Sequence, residues 1–480
     1  MEIVVIGAGI GGMSCAAVLA HNGFDVKILE QNSSYGGKAG QITKNGYIFD
    51  KGPSLLTIPN WIDDLFFSCG KNPKDYFNYF KLNHVTRYFF EDDKFTDVMA
   101  DLNETAENFE LSLNLKKEVF LNYFKLWTEI YDISEKTFLE GDIKFNYNFL
   151  KSAFIWFKHT GLSSIVHSMA KYNSSKLDNQ NVEKIMNRFA TYTGSSPYKT
   201  PAFMNQLAVV EMIKGAYFPN GGIFSVSTAL YNLCLDLGVK FTFNEKIVAL
   251  EENNKGIKVR SKKTEYNAEK LVSNIDYYVT QKLLGRKIKI QTTGLSTSAI
   301  VFYWGIKGEF AKLKLHNIFF SNNYKKEFAE IFNDAKIPSD PTIYINISSK
   351  LENSHAPKGC ENWFVMINIP TRPNLVSENE IIKVRNFIIS KLSNKLKVEL
   401  KNLIDFEEVL TPETLYENTG AYKGALYGEN QNSLRQIMKR KSNFDKKSKN
   451  LFYVGGSVHP GGGIPLALKS GINTAKKIIN

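Results

Sequence analysis

Three glycines near the N-terminus, Gly7, Gly9 and Gly12, are followed eighteen positions after the last of them by an acidic residue, Glu30. The glycines separate a short apolar run, typical of a buried strand, from a helical pattern, and Glu30 ends a second apolar run. Glycines in this pattern allow a tight turn, close approach of the backbone to a pyrophosphate and close helix packing, while the acid can bind a ribose. We therefore predict a dinucleotide site and prefer it to a purely structural strand–turn–helix.

A second glycine-rich loop occupies positions 455–465, close to the C-terminus. It reads Gly-Gly-Ser-Val-His-Pro-Gly-Gly-Gly-Ile-Pro, between a predicted strand at 450–454 and a predicted helix at 466–479. Bare backbone of this kind can lie against a flat ring or a phosphate, and a helix start presents free N–H groups to an anion. His459 in this loop is an acid–base candidate, although its ring could serve only to hydrogen-bond the loop.

The segment after Glu30 indicates which dinucleotide is bound. Gly36-Gly37-Lys38 resembles the second glycine motif of flavoproteins with two dinucleotide-binding domains, which bind FAD. Lys38 would then offset phosphate charge, or it is an ordinary surface lysine. Residues 46–56 predict a strand and a Gly-Pro turn, which forms either a wall beside the flavin ring or a plain surface turn. Asp50 in this segment is the second acid–base candidate. Because neither Asp50 nor His459 stands out as indispensable, the catalytic residue is not assigned.

The predicted cofactor contacts are distributed over the whole chain. Short predicted strands between 239 and 274 suggest a return to the dinucleotide domain, which brings in Val248 and Asn274. The complete set is Gly7, Gly9, Gly12, Glu30, Gly37, Lys38, Ser54, Leu55, Val248, Asn274, Gly455, Gly456, Gly463, Ile464 and Pro465. The histidines show no metal-ligand spacing, so no metal site is predicted.

The order of elements predicts an α/β fold in which two domains alternate along the chain. A Rossmann-like FAD-binding domain is expected from residues 1–75, 196–294 and 411–480. An α+β substrate domain, an antiparallel sheet with helices, is expected from 76–195 and 295–410. The segment 76–195 is also the expected membrane-associating part.

Composition excludes several classes of protein. The 480 residues are 43% hydrophobic and 22% charged, which is typical of a globular chain of two or three domains. Four scattered cysteines without a CxxC predict neither disulfides nor zinc, and they suit a reducing cytoplasm. No run is long and apolar enough to span a bilayer. The net charge of +12 suits an anionic membrane surface or no particular partner, and without a nucleic-acid-binding motif we expect no nucleic acid.

These motifs together resemble the bacterial phytoene desaturase family of carotenoid desaturases. The resemblance rests on the C-terminal loop, the N-terminal glycine motif with Glu30, Asp50-Lys51-Gly52-Pro53, Pro219-Asn220-Gly221-Gly222 and Val272-Ser273-Asn274. Phytoene desaturases usually carry Gly-Ala-Gly-Thr before His-Pro, where this chain has Gly455-Gly456-Ser457-Val458. That variant, with the stretch 191–198, looks more like the hydroxycarotenoid 3,4-desaturase branch.

The resemblance implies an FAD-dependent enzyme that introduces a 3,4 double bond into an acyclic, 1-hydroxylated carotenoid end, with hydride transfer to flavin. Oxygen or a membrane quinone is expected to reoxidise the flavin. The substrate must be drawn from a membrane, so a cytoplasmic protein in peripheral membrane contact is expected. A predicted aromatic helix at 149–172, with Lys151 and Lys158, either sits at the membrane interface or is an internal helix.

Several alternatives stay open on the sequence. Within the same chemistry these are a phytoene desaturase and a redox-neutral carotenoid isomerase. From another class, the fold also occurs in flavin-less isoprenoid carriers, although the intact Gly7, Gly9, Gly12 and Glu30 set argues against loss of the cofactor. An amine oxidase is less favoured, because its flavin-linking C-terminal pattern differs from His459-Pro460-Gly461.

Overall fold

A computed structural model describes residues 2–138, 161, 163–253, 256–372 and 374–480. Its strands are β1 Glu2–Ile6, β2 Asp25–Leu29, β3 Gln41–Lys44, β4 Tyr47–Asp50, β5 Tyr79–Lys81, β6 His84–Phe89, β7 Phe95–Met99, β8 Tyr217–Pro219, β9 Lys240–Thr242, β10 Ile247–Asn253, β11 Gly256–Ser261, β12 Glu265–Ala268, β13 Lys270–Ser273, β14 Ser298–Lys307, β15 His316–Phe319, β16 Ile343–Asn346, β17 Cys360–Ile369, β18 Ile404–Leu410 and β19 Leu451–Tyr453. Its α-helices are α1 Ile10–His21, α2 Asn60–Ser68, α3 Leu102–Leu113, α4 Lys117–Phe138, α5 Ser163–Val166, α6 Met169–Lys176, α7 Gln180–Arg188, α8 Leu207–Met212, α9 Phe224–Asp236, α10 Tyr277–Leu283, α11 Tyr324–Phe332, α12 Glu378–Leu396, α13 Pro412–Thr419, α14 Leu434–Met438 and α15 Ile464–Ile479.

The first strand lies at the centre of a parallel sheet with the order β19-β13-β1-β2-β9. Ile3 and Val5 pack into the core on one face, and Val4 and Ile6 pack into the core on the other. Burial on both faces explains why this strand is continuously apolar. Strands from the two ends of the chain thus share one sheet, because β19 pairs with β13 and β13 pairs with β1.

The second large sheet has seven strands in the order β18-β14-β17-β16-β15-β6-β7. Its neighbouring strands are antiparallel except for β15 and β6, which pair in parallel. Along β14 the side chains alternate: Phe302 and Trp304 join the core that includes Ile388 of α12, whereas Ala299 and Val301 point to the opposite face. This period of two directs one face of the sheet towards the cavity described below.

Helices from the middle of the chain pack on that cavity side. The core that joins α3, α4, α7 and β6 also takes in Ala202, Phe203, Ala208 and Phe218. Residues 202–218 therefore contribute to the substrate-side core, although the sequence places them in a segment assigned to FAD binding.

The predicted aromatic helix at 149–172 lies mainly outside the described residues. Its last part is described as two short helices, α5 and α6, separated by His167 and Ser168. Within the described part of the chain, no helix has the length and apolarity that crossing a membrane requires.

Other predicted elements lie close to their positions in the structure. The helix predicted at 378–400 runs over Glu378–Leu396, and the strand predicted at 297–307 runs over Ser298–Lys307. Arg188–Pro201, read as a loop, instead begins at the end of α7 and continues through a 3-10 turn at Phe189–Thr193.

Candidate active site

One large cavity of about 1510 Å³ runs between the two sheets. At one end it is lined by both glycine loops and the end of β2. At the other end it is lined by β14–β17 together with residues of α7, α8 and α14. A drug-sized ligand pocket is typically ~300–1,000 Å³, so this space can hold more than one such molecule.

The two glycine loops meet directly at Asn274, which follows β13. A methyl group added at Gly11 would lie 2.8 Å from the Gly455 backbone nitrogen and 2.8 Å from Asn274 Oδ1. At Gly9 it would lie 2.8 Å from Asn274 Nδ2. Asn274 Nδ2 also donates to the Gly7 carbonyl at 3.2 Å. Only residues without a Cβ allow this approach, which gives the glycine spacing a direct structural reason.

Two helices begin at this end of the cavity. The N-cap of α1 is Gly9 and that of α15 is Gly463, and neither start carries a side-chain cap or an acidic residue in its first turn. Gly463 has φ +96°, a conformation that suits glycine. Gly9, Ile10 and Gly463 all line the cavity. Uncapped N–H groups at helix starts are suited to binding phosphate oxygens.

Glu30 lies at the cavity wall after β2 and is only 5% exposed. Its carboxylate accepts hydrogen bonds from the Ala8 backbone N–H at 2.7 Å and from the backbone and side-chain nitrogens of Asn32 at 2.9 Å. Burial raises the pKa of Glu30, and these N–H donors oppose that shift. A carboxylate has about four acceptor positions, so the fixed Glu30 can accept a further hydroxyl donor.

Glu245 is a second acid at this end of the cavity, and it is not one of the predicted cofactor contacts. It is 5% exposed and lines the cavity, and its Oε1 has no hydrogen-bond partner in the described part of the chain. An unpaired buried carboxylate oxygen is costly unless a ligand satisfies it. Val248 nearby is 40% exposed and also lines the cavity.

The segment 51–55 forms part of the cavity wall, and its position beside a flavin ring stays a prediction. It is tied to the seven-stranded sheet, because Tyr303 Oη donates to the Lys51 carbonyl at 2.7 Å and Ser54 Oγ shares a 2.6 Å hydrogen bond with Tyr344 Oη. Lys38 lies against this segment and is half-buried, with its Nζ donating to the Leu426 carbonyl at 2.6 Å. Burial lowers the pKa of Lys38 to about 8. Lys38 is therefore held by a carbonyl group and is not an ordinary surface lysine.

The structure argues against Asp50 as an acid–base group. Its carboxylate accepts the backbone N–H groups of Ile223 and Phe224, both at 2.9 Å, where α9 begins. Burial raises the pKa of Asp50 to about 6. Asp50 is absent from the described residues that line the cavity, so its evident role is to anchor α9.

His459 does line the cavity and is 7% exposed. Its backbone is fixed at both polar atoms, since the N–H donates to the Lys441 carbonyl at 2.9 Å and the carbonyl accepts from Asn443 Nδ2 at 2.8 Å. The His459–Pro460 peptide bond is cis. Its acid–base role stays a prediction.

The predicted cofactor contacts converge on the cavity with a single difference. The lining includes Gly7, Gly9, Glu30, Gly37, Lys38, Ser54, Leu55, Val248, Asn274, Gly455, Gly456, Gly463, Ile464 and Pro465. Gly12 instead packs against the Gly7 carbonyl and Asn274, inside the strand–helix junction. The structure thus brings the fourteen others to one cavity, and their contact with a cofactor stays a prediction.

The opposite end of the cavity is mainly apolar. Its walls include Val301, Ile318, Phe364 and Met366 from the sheet and Val210 from the helical side. A polar group interrupts this surface: Arg188 forms a buried ion pair with Glu211 at 3.1 Å, and His316 lies in the same lining. Glu211 follows the apolar residues of Leu207–Val210. A charge in such a run was the available sequence signal that a buried partner exists.

The residues present fit a bound FAD. The uncapped helix starts and the cradle of bare backbone suit its pyrophosphate, and Glu30 and the unpaired oxygen of Glu245 suit a ribose. Among the described residues no cluster of potential metal ligands was found. Fold and site together define an FAD-dependent oxidoreductase.

Comparison with known proteins agrees with this class. Residues 10–304 match the family described as flavin containing amine oxidoreductase. A 1-hydroxycarotenoid 3,4-desaturase of Flavobacterium sp. is 40% identical over 485 residues, covering 100% of this chain and 99% of that protein. A 4,4'-diaponeurosporene oxygenase of Staphylococcus aureus is 30% identical over 501 residues, covering 99% and 98%. A solved putrescine oxidase with bound putrescine has a TM-score of 0.64 at 14% identity, covering 100% and 99%, which shows the shared fold.

The chain belongs to the flavin containing amine oxidoreductase family and, within it, to the carotenoid desaturases. The predicted α/β flavoprotein fold, the FAD dependence and the resemblance to carotenoid desaturases are confirmed. The alternative of a flavin-less carrier finds no support.

Proposed function

We propose that this protein introduces a 3,4 double bond into an acyclic, 1-hydroxylated carotenoid end. The relative that shares 40% identity along the whole chain is named for that reaction. The main structural support is the continuity of one cavity of about 1510 Å³ from the glycine loops to an apolar chamber. A long polyene in the chamber would have its end close to a flavin held by the loops.

Bound FAD would supply the acceptor for the hydride that leaves one of the two carbons that become double-bonded. The other carbon would lose a proton, for which His459 in the cavity lining is the candidate acceptor. The protein itself binds the substrate and orients it. Ala299, Val301 and Phe364 offer an apolar face to the polyene, and the 51–55 segment lines the same cavity. Holding the reacting carbon in one orientation and excluding water are the contributions that geometry of this kind makes to the rate.

We also propose peripheral contact with a membrane, from which the insoluble substrate would be taken. The net charge of +12 favours an anionic lipid surface. Sedimentation with vesicles of anionic lipid, compared with neutral vesicles, tests this point. Equal binding to both, or none, would contradict it.

Oxygen or a quinone is the proposed electron acceptor. Turnover in air, turnover without oxygen, and anaerobic turnover with an added quinone separate the two. Turnover that continues without either acceptor would contradict both and would favour an isomerase.

The reaction is tested with purified, flavin-loaded protein and matched pairs of substrates in detergent micelles. A hydroxylated acyclic carotenoid should give a product with one more conjugated double bond, seen as absorption at longer wavelength. Conversion of colourless phytoene into a coloured product, with no action on the hydroxylated substrate, would overturn the proposal and indicate a phytoene desaturase.

A further inference from the structure

A buried polar cluster interrupts the apolar end of the cavity, and neither the cofactor site nor the binding of a hydrocarbon requires it. The cluster is formed by Arg188, Glu211 and Tyr192, which are hydrogen-bonded to one another, and by His316, which lines the same cavity. Arg188, Glu211 and His316 are 8%, 1% and 3% exposed. Burying charges in a chamber for a hydrocarbon is unfavourable, so the cluster calls for a polar ligand group or a strong structural reason.

The ion pair leaves hydrogen-bonding capacity unused. Arg188 donates to Glu211 Oε1 at 3.1 Å and to Tyr192 Oη at 3.3 Å, and Tyr192 Oη donates to Glu211 Oε2. Arg188 Nε is buried and has no hydrogen-bond partner in the described residues. The carboxylate of Glu211 has further acceptor positions beyond the two contacts that it receives.

His316 adds a second unpaired group on the sheet side. Asn346 Nδ2 donates to His316 Nδ1 at 3.2 Å, and Tyr344 Oη lies 2.8 Å from the same nitrogen. Nδ1 is thus the acceptor, which leaves the proton on Nε2, and Nε2 is buried without a partner among the described residues. Burial, with the charge of Arg188 as a smaller cause, lowers the pKa of His316 to about 3, so the ring is neutral at physiological pH.

The chemistry of the cluster matches a neutral hydroxyl group. A hydroxyl donates one hydrogen bond and accepts two, and here Glu211 can accept while Arg188 Nε or His316 Nε2 can donate. The charges of Arg188 and Glu211 cancel and His316 is neutral, so neither a cationic amine nor a carboxylate finds an opposite net charge.

The position of the cluster also suits the hydroxyl group of the proposed substrate. Two consecutive hydrogen bonds, Ser54 Oγ to Tyr344 Oη at 2.6 Å and Tyr344 Oη to His316 Nδ1 at 2.8 Å, connect the predicted flavin wall to it. In a 3,4-desaturation the carbon that carries the 1-hydroxyl is only two carbons from the first carbon oxidised. The hydroxyl must therefore lie near the flavin wall, to which Tyr344 and Ser54 connect His316.

We propose that Arg188, Glu211 and His316 bind the tertiary hydroxyl of the substrate and so select hydroxylated over hydrocarbon ends. This inference rests on the proposed function. The three residues are positioning and specificity residues, since none of them is required to take the hydride.

The test compares Glu211→Gln and His316→Phe with wild type, on a 1-hydroxylated carotenoid and on the same polyene without the hydroxyl. Glu361→Gln is the matched control, because Glu361 is 2% exposed and ion-paired with Lys350 at 2.5 Å but lies outside the described cavity lining. Flavin content and thermal melting check that each variant is folded. Equilibrium binding of both polyenes, followed by quenching of protein fluorescence, gives a readout that does not require turnover.

We expect each cavity variant to lose about tenfold to a hundredfold in affinity and kcat/KM for the hydroxylated substrate, mainly through KM. The affinity and kcat/KM for the polyene without the hydroxyl should change by less than about threefold. Equal losses on both substrates with flavin retained, or no loss on either, would overturn the inference. If wild type oxidises neither polyene but still binds the hydroxylated one more tightly, and the variants abolish that preference, the proposed function fails and the binding inference stands.

Discussion

Substitution of Gly11 by alanine tests whether the two ends of the chain form one cofactor cradle. The added methyl would lie 2.8 Å from the Gly455 nitrogen, 2.9 Å from the Gly455 Cα and 2.8 Å from Asn274 Oδ1. Favourable carbon contacts lie at about 3.5–4.0 Å, so the loops must separate by more than about half an ångström. Because two of these atoms are backbone, a rotamer change cannot relieve the contact.

The expected effect combines two opposing terms. Overpacking costs about 1–3 kcal/mol, and replacing a helical glycine by alanine returns about 0.8–1.0 kcal/mol. The net loss of stability is therefore about 0–2 kcal/mol, a lowering of melting temperature by several degrees at most. Displacement of the loops should weaken FAD binding further, by about tenfold or more, because both loops line the predicted cofactor cavity.

The assay compares FAD titrations and melting curves of Gly11→Ala with those of Gly294→Ala. Gly294 is the matched control, because its added methyl would meet Ile290 at an ordinary 3.6 Å. We expect the control to bind FAD like wild type. Gly11→Ala that binds FAD as tightly as Gly294→Ala would refute the reasoning, since the close approach of the loops would then be irrelevant to the cofactor.

Three further outcomes follow from the site. Glu30→Gln should weaken FAD binding by about tenfold to a hundredfold, because an amide nitrogen would face the Ala8 N–H; unchanged FAD titrations would contradict this. Asp50→Asn should lower the free energy of unfolding by about 1–2 kcal/mol through loss of the α9 anchor while kcat is kept; loss of turnover with flavin retained would restore Asp50 as a catalytic group. His316→Phe should lose less folding stability than wild type as the pH falls. With a pKa of about 3 when folded and 6.5 when unfolded, wild-type stability is lost as pH falls below about 6.5, by up to ~1.4 kcal/mol per pH unit; parallel curves for both proteins would contradict this.

Local sequence rules predicted most of the residues that line the cofactor end of the cavity, although they missed Glu245. The glycine spacing, the acid at position 30 and the final strand–loop–helix each follow from what a pyrophosphate and a ribose require of the backbone. The structure explains why Gly11, which the Gly7-Gly9-Gly12 pattern leaves unspecified, is also constrained. Gly11 faces Gly455, which is more than four hundred positions further along the chain.

Long-range pairing accounts for what the sequence did not reveal. Asp50 was an acid–base candidate because it lies near the predicted flavin wall, but its partner is the start of a helix at Ile223. Arg188 at the end of α7 and Glu211 in α8 become an ion pair only in the folded chain, and His316 of the sheet lines the same cavity. Such contacts depend on tertiary packing, which local propensity and periodicity do not encode.

The most direct measurement is an anaerobic mixing experiment with flavin-loaded protein and one equivalent of a 1-hydroxylated acyclic carotenoid. We expect the visible absorption of oxidised flavin to be lost as the polyene band moves to longer wavelength, in equal molar amounts. A protein that binds both FAD and the carotenoid but leaves both spectra unchanged would contradict this expectation.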